Sequence, residues 1–160
     1  MKRRIKYKGK RLNPAVEWYK LGNSVKMLFT GIIFELISFL PPSYLKNFLY
    51  RIFGVKIGKD VSISPHVILD PLMPEKITIG DGTIIGWGAR IFVHEYTHNE
   101  IITGEVKIGK NVLIGGFSLI EPGITIGDNS IVGSMSFVNK DVPLNTMVGG
   151  VPVKKIKKLK

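Results

Sequence analysis

An aliphatic residue recurs at every sixth position through four stretches of this chain, and few folds tolerate that period. The positions are Ile57, Ile63 and Leu69; Ile79, Ile85 and Ile91; Ile108, Ile114 and Ile120; and Ile126, Val132 and Val138. Each trio occupies eighteen residues, one turn of a three-sided coil whose flat faces each send one side chain inward. Seven of the twelve are followed directly by glycine, at Gly58, Gly80, Gly86, Gly109, Gly115, Gly127 and Gly133. A chain that changes direction every six residues needs places without a Cβ clash, so these glycines read as the corners. Four residues after the aliphatic position comes a second set of small or β-branched residues, among them Val61, Thr83, Val112, Ser118, Ser130 and Ser136. A narrow interior lined by short extended strands calls for such side chains.

The competing arrangement is an antiparallel sandwich with regular turns. Its strands would alternate with period two between turn signals roughly 8–12 residues apart, and the glycine punctuation here is denser than that. Burying each repeated aliphatic side chain contributes about 1.5–3 kcal/mol before entropy is subtracted. Stacked coils touch only their neighbours, so both ends need covering.

Residues 54–160 resemble the hexapeptide-repeat acyltransferases. The likeness rests on the four trios and on the closing segments Asn139-Lys140-Asp141-Val142-Pro143 and Gly149-Gly150-Val151-Pro152-Val153-Lys154, which are similar to those of the galactoside, maltose and polysaccharide O-acetyltransferases. The resemblance implies an all-β fold, a left-handed parallel β-helix of about four coils with an N-terminal helical segment. The residues alone specify the prism and leave its hand open, since parallel crossovers otherwise favour the right-handed form. Three parts are expected: residues 1–53, a basic leader and apolar helical hairpin; residues 54–143, the column with an inserted loop at 97–107; and residues 144–160, a basic tail.

The chain has 160 residues, no cysteine and a net charge of +11. Disulfides, cysteine-ligated metals and a cysteine nucleophile are therefore excluded, and a reducing, cytoplasmic setting is expected. The charge is uneven. Residues 1–53 carry eleven Lys or Arg against Glu17 and Glu35, whereas the column has fewer basic than acidic residues. Nucleic acid is not an expected partner, because the basic leader interleaves only Tyr7 and carries no nucleic-acid motif. Residues 1–11 are expected to form a solvated, disordered tail.

From Val25 to Leu40 the chain is apolar apart from Lys26, Thr30, Gly31, Glu35 and Ser38, a run shorter than the roughly 20 residues that span a bilayer. Pro41 and Pro42 end this helix, Ser43 caps a second, and Gly54 closes it. The hairpin either packs on the column and between subunits or lies against a membrane surface with its cations near anionic lipid.

His94 stands where the register breaks. Phe92 holds the glycine position and Glu95 the small position of its hexapeptide, and eleven residues from Thr97 to Lys107 intervene before the repeat resumes. Breaks in a consistent pattern tend to mark functional sites. Removing a hydroxyl proton as the oxygen attacks a thioester suits an imidazole, whose pKa lies near neutrality. The resemblance places the catalytic histidine here, with direct attack in a ternary complex and backbone N–H groups receiving the oxyanion. Asp70 is expected to contact the acceptor or orient His94, and Glu95 and His98 to contact the acceptor, with His98 also a second candidate base. Acetyl-CoA is the implied co-substrate, with its phosphates on Lys140, Lys154, Lys155 and Lys157 and its pantetheine arm along Gly116 and Ser134. Leu113 stands where relatives carry tryptophan. Pro71 departs from the serine acetyltransferases, and Pro65-His66 replaces an asparagine of the galactoside and maltose enzymes, so a sugar or glycan acceptor is expected without a named sugar. A homotrimer with sites between columns is also implied.

Two rival readings belong to other classes. Gamma-class carbonic anhydrases share the prism and bind metal through three histidines, and His66, His94 and His98 are three. They do not stack at the eighteen-residue period, and zinc requires convergence to bonds of about 2.0–2.1 Å, so no metal is expected. A non-catalytic scaffold is the other.

Overall fold

In the computed structural model, which describes residues 2–6 (backbone only), 15, 19, 23–98 and 100–159, each aliphatic trio is one coil of a three-sided parallel column. Strand β1 (Lys2–Lys6) and helices α1 (Ser24–Ser38) and α2 (Tyr44–Ile52) come first. The first coil is β2 (Lys56–Ile57), β3 (Ser62–Ile63) and β4 (Ile68–Leu69); the second is β5 (Ile77–Ile79), β6 (Ile84–Ile85) and β7 (Arg90–Ile91). Strands β8 (His94–Tyr96) and β9 (Glu100–Gly104) then leave the column. The third coil is β10 (Val106–Ile108), β11 (Leu113–Ile114) and β12 (Leu119–Ile120); the fourth is β13 (Thr125–Ile126), β14 (Ile131–Val132) and β15 (Phe137–Val138). Strands β16 (Thr146–Gly149) and β17 (Lys154–Lys158) close the chain.

The repeated residues stack in register: Ile63 pairs with Ile85, Ile85 with Ile114, and Ile114 with Val132. Eleven of the twelve are buried, and Ile57, on the first coil, is partly exposed. The small second set completes the lining. Hydroxyls from that set bond to backbone carbonyls, Thr83 to Gly109 at 2.8 Å, Ser118 to Gly133 at 2.9 Å and Ser130 to Pro143 at 2.7 Å. Buried hydroxyls need such acceptors.

The glycines have a different role from the one expected. Those that follow the aliphatic positions keep ordinary backbone angles, and the left-handed residues stand two places later, at Asp60, His66, Gly82, Gly88, Asn111, Phe117, Gly123, Asn129 and Met135. A Cβ on Gly115 would lie 2.3 Å from the Ser134 nitrogen, and one on Gly86 2.6 Å from the Gly116 nitrogen. Glycine is required there because consecutive coils approach backbone to backbone.

Three segments are more ordered than their composition suggests. Residues 2–6, expected within a disordered leader, pair antiparallel with β9, so β1-β9-β8 forms a small sheet beside the column; residues 7–11 lie outside the described residues. The strand supplies partners for the backbone edge that β9 would otherwise leave open. The inserted loop at 97–107 contains the β8–β9 turn, all of β9 and the first two residues of β10. The tail at 144–160 also folds, with β16 continuing the second face and β17 returning antiparallel along it.

Both helices form as expected. Asn23 caps α1 by accepting from the Lys26 N–H at 3.0 Å, and Ser43 caps α2 by accepting from the Lys46 N–H at 3.2 Å. Phe34 packs edge-on against Tyr50 and Phe53, with ring centres 5.0 and 5.8 Å away. The hairpin thereby covers the first-coil end of the core.

Candidate active site

Stacking in register creates the site. Leu69 pairs with Ile91, so the residues that follow them leave the third face together and Asp70 reaches the turn carrying His94. Asp70 is fully buried. Its Oδ1 accepts the Leu72 N–H at 3.0 Å, and its Oδ2 accepts the N–H groups of Val93 at 2.9 Å and His94 at 3.2 Å. His94 Nδ1 approaches the same Oδ2 at 2.5 Å.

Because that oxygen already accepts two backbone N–H groups, the ring nitrogen facing it is assigned as the donor. This makes Nε2 the basic atom of a ring that is 16% exposed. The side chain lines a cavity of about 250 Å³ with Phe92, Glu95, Leu119, Glu121 and Phe137. An imidazole held by a buried carboxylate and open to a cavity can accept a proton from a hydroxyl and return it to a leaving group.

The other expected acceptor contacts separate. Glu95 is exposed and lines the cavity, whereas His98 is exposed in the β8–β9 turn and is not among the cavity's lining residues. Asp70 is buried against His94 and does not line the cavity. Tyr96 was not anticipated. It stands two residues from His94 on the same strand, its ring 5.3 Å from the imidazole, and its buried hydroxyl has no hydrogen-bond partner among the described residues. Burial, with the Asp70 charge adding to it, raises its pKa. Alternation along a strand puts His94 and Tyr96 on one side, but nothing in the six-residue repeat marks this segment as a strand.

The residues expected to hold coenzyme A lie at two corners and one strand. Gly116 and Ser134 occupy successive coils at the corner between the second and third faces, Lys140 follows β15 at the next corner, and Lys154, Lys155 and Lys157 are exposed along β17. His66 packs between Phe39 and Trp87, with ring centres 4.9 and 4.7 Å away. Among the described residues no group of three or more metal-binding side chains comes together.

Residues 105–140 match the family described as bacterial transferase hexapeptide (six repeats). YvoF of Bacillus subtilis (strain 168), an acetyltransferase by name, is 40% identical over 131 residues, covering 81% of this chain and 76% of its own. Galactoside O-acetyltransferase of Escherichia coli (strain K12) is 40% identical over 90 residues, 52% of this chain and 44% of its own. The solved structure of galactoside acetyltransferase in complex with coenzyme A superposes with a TM-score of 0.64 at 25% identity, covering 85% of this chain and 82% of that one. With the column, its register and these likenesses in agreement, the chain belongs to the hexapeptide-repeat acetyltransferases and has their left-handed parallel β-helix.

Proposed function

We propose that this protein transfers an acetyl group from acetyl-CoA to a hydroxyl of a sugar or glycan, with His94 as general base and Asp70 as its positioning residue. The observation that carries this reading is the contact between His94 Nδ1 and the buried Asp70 carboxylate, in a ring that lines a cavity. The acceptor oxygen attacks the thioester carbonyl carbon while Nε2 takes its proton. The tetrahedral intermediate then expels the coenzyme thiolate, which receives that proton from the imidazolium. The Asp70 carboxylate holds the productive tautomer and stabilises the imidazolium. General-base assistance of this kind contributes on the order of 10²–10⁴ in rate.

The carbohydrate acceptor is supported by the galactoside O-acetyltransferase likeness. For acetyl-CoA, the support is the coenzyme complex of the galactoside enzyme and the exposed lysines at 140, 154, 155 and 157, which suit phosphate groups. A cytoplasmic setting fits a chain without cysteine. Assembly as a homotrimer is supported by the outward rows of the column. The first face presents Lys56, Thr78, Lys107 and Thr125, whereas the second presents Ser62, Ile84, Leu113 and Ile131 and the third Ile68, Arg90, Leu119 and Phe137. Two rows out of three with a majority of apolar residues fit a ring in which each copy meets two others.

Thiol release from acetyl-CoA, followed across sugars, nucleotide-sugars and lipid-linked glycans, tests the reading. Release that depends on an acceptor and falls at least about a hundredfold in His94→Ala is expected. Equal release in the two proteins would remove His94 as the base, and no release with any acceptor would leave the scaffold.

A further inference from the structure

Helix α2 is built inside out. Its inward side chains are Lys46, Asn47 and Tyr50, at 0%, 3% and 0% exposure, while Leu45, Phe48 and Ile52 face outward at 59%, 56% and 60%. The two inward nitrogen donors are held by backbone carbonyls: Lys46 Nζ donates to Ser38 at 3.1 Å, Leu40 at 2.8 Å and Ser64 at 2.9 Å, and Asn47 Nδ2 donates to Val61 at 2.7 Å. Helix α1 packs Met27, Phe34 and Ile37 inward, yet Val25, Leu28, Phe29, Ile32 and Leu36 on its other side are 55–64% exposed. These five follow one helical stripe. A helix apolar on both sides belongs in a larger core or against lipid, and an exposed apolar surface of this kind marks an interaction site.

Three observations favour lipid over another copy of the chain. The stripe on α1 and the three residues on α2 offer no side-chain hydrogen-bonding group, whereas protein interfaces carry about one hydrogen bond per 100–200 Å². The column has two mainly apolar outward rows of its own, to which the trimer reading assigns the contacts between copies. The charge of residues 1–53, eleven basic against two acidic, complements anionic headgroups, with Lys26 and Arg51 exposed on the helices themselves. The fifteen residues of α1 measure roughly 22 Å, short of the ~30 Å hydrocarbon thickness, and no helix among the described residues is long and apolar enough to cross a membrane. The geometry is that of a hairpin lying in the interface plane.

A groove of about 540 Å³ lies along this surface and shares no lining residue with the His94 cavity. Leu28, Ile32 and Leu36 of α1 face Pro71 and Leu72 across it, and Glu35 is the one charged residue in its lining. The Leu72 N–H bonds to the Asp70 carboxylate that holds His94. We propose that the outer face of the α1–α2 hairpin docks in plane on an anionic bilayer and that this groove receives a hydrocarbon chain from it. That the chain belongs to a lipid-linked acceptor rests on the acetyl-transfer reading; the docking does not.

Flotation of the full chain with vesicles tests it, using phosphatidylcholine mixed with phosphatidylglycerol and phosphatidylcholine alone. The wild type is expected to rise with the mixed vesicles, and a Phe29→Ser, Phe48→Ser double variant to bind them at least about tenfold less. The variant's circular dichroism, its mass by light scattering and its thiol release with a water-soluble acceptor are expected to be unchanged. A wild type that stays in the dense fraction with both vesicle types overturns the proposal. A fall in the variant's mass also overturns it, since the face would then join copies of the chain. Flotation without transfer to any acceptor would preserve the docking and remove the activity reading; transfer without flotation would do the reverse.

Discussion

The column and the hairpin bury polar groups in opposite ways. In the column the inward positions are aliphatic, and the few inward hydroxyls bond to backbone carbonyls coil after coil. In α2 an entire lysine is turned inward and is held by three particular carbonyls, one of them 18 residues away on the first coil. The column therefore gets its stability by repetition, and no single contact has to be unique. The hairpin depends on one non-repeated junction, while its outer surface contributes little to the stability of the isolated chain.

That contrast can be broken at its strongest point first. Gly115→Val puts a branched side chain where even a Cβ would meet the Ser134 backbone at 2.3 Å, and neither backbone can withdraw without separating two coils. A loss on the order of 4 kcal/mol, or failure to fold, is expected in urea denaturation. Lys46→Ala should follow at about 3 kcal/mol, because three carbonyls lose their donor and a cavity remains; a loss below 1 kcal/mol would show that the junction is dispensable.

The same lysine gives the hairpin a pH signature of its own. Burial lowers its pKa from 10.5 to about 8. Between those values the unfolded chain binds more protons than the folded one, so stability rises with pH across that window, and the desolvation cost is fully present below it. Chemical denaturation of the wild type over this range should show the rise, and Lys46→Met should abolish it. Asn129→Ala tests a corner of the column. Asn129 sits at φ 56° and links Asn111 to Asn145 through side-chain bonds of 3.3 and 3.1 Å; a cost of about 1–2 kcal/mol is expected from the left-handed backbone and the lost bonds. The smallest effect belongs to Phe48→Ser. Its side chain is outward, so a change within about 0.5 kcal/mol is expected by thermal unfolding without lipid.

The two regions also differed in how readable they were. The twelve aliphatic residues announced the column because each one repeats the same burial, and their register followed from the spacing. Gly115 was legible as a constraint but not as the right one, since a glycine needed for backbone approach and a glycine needed for a left-handed turn look alike in a sequence. The break in the repeat singled out His94 as a candidate, whereas Tyr96 had no signal because nothing in the repeat marks His94–Tyr96 as a strand. In the hairpin, the caps at Ser43 and Gly54 were visible, whereas the inward turn of Lys46 was not, because a lysine beside Leu45 and Phe48 reads as the solvated side of an ordinary amphipathic helix.

By itself the sequence determined a three-sided column whose repeat breaks at His94, because period, glycine placement and small inner residues all repeat one local requirement. Only the tertiary structure decided that Asp70 and His94, 24 residues apart, share one hydrogen bond, that β1 and β17 are strands, and that α2 shows its apolar side to the outside. Each of these depends on which backbone carbonyl, N–H or carboxylate a distant coil brings alongside, and no local pattern encodes that.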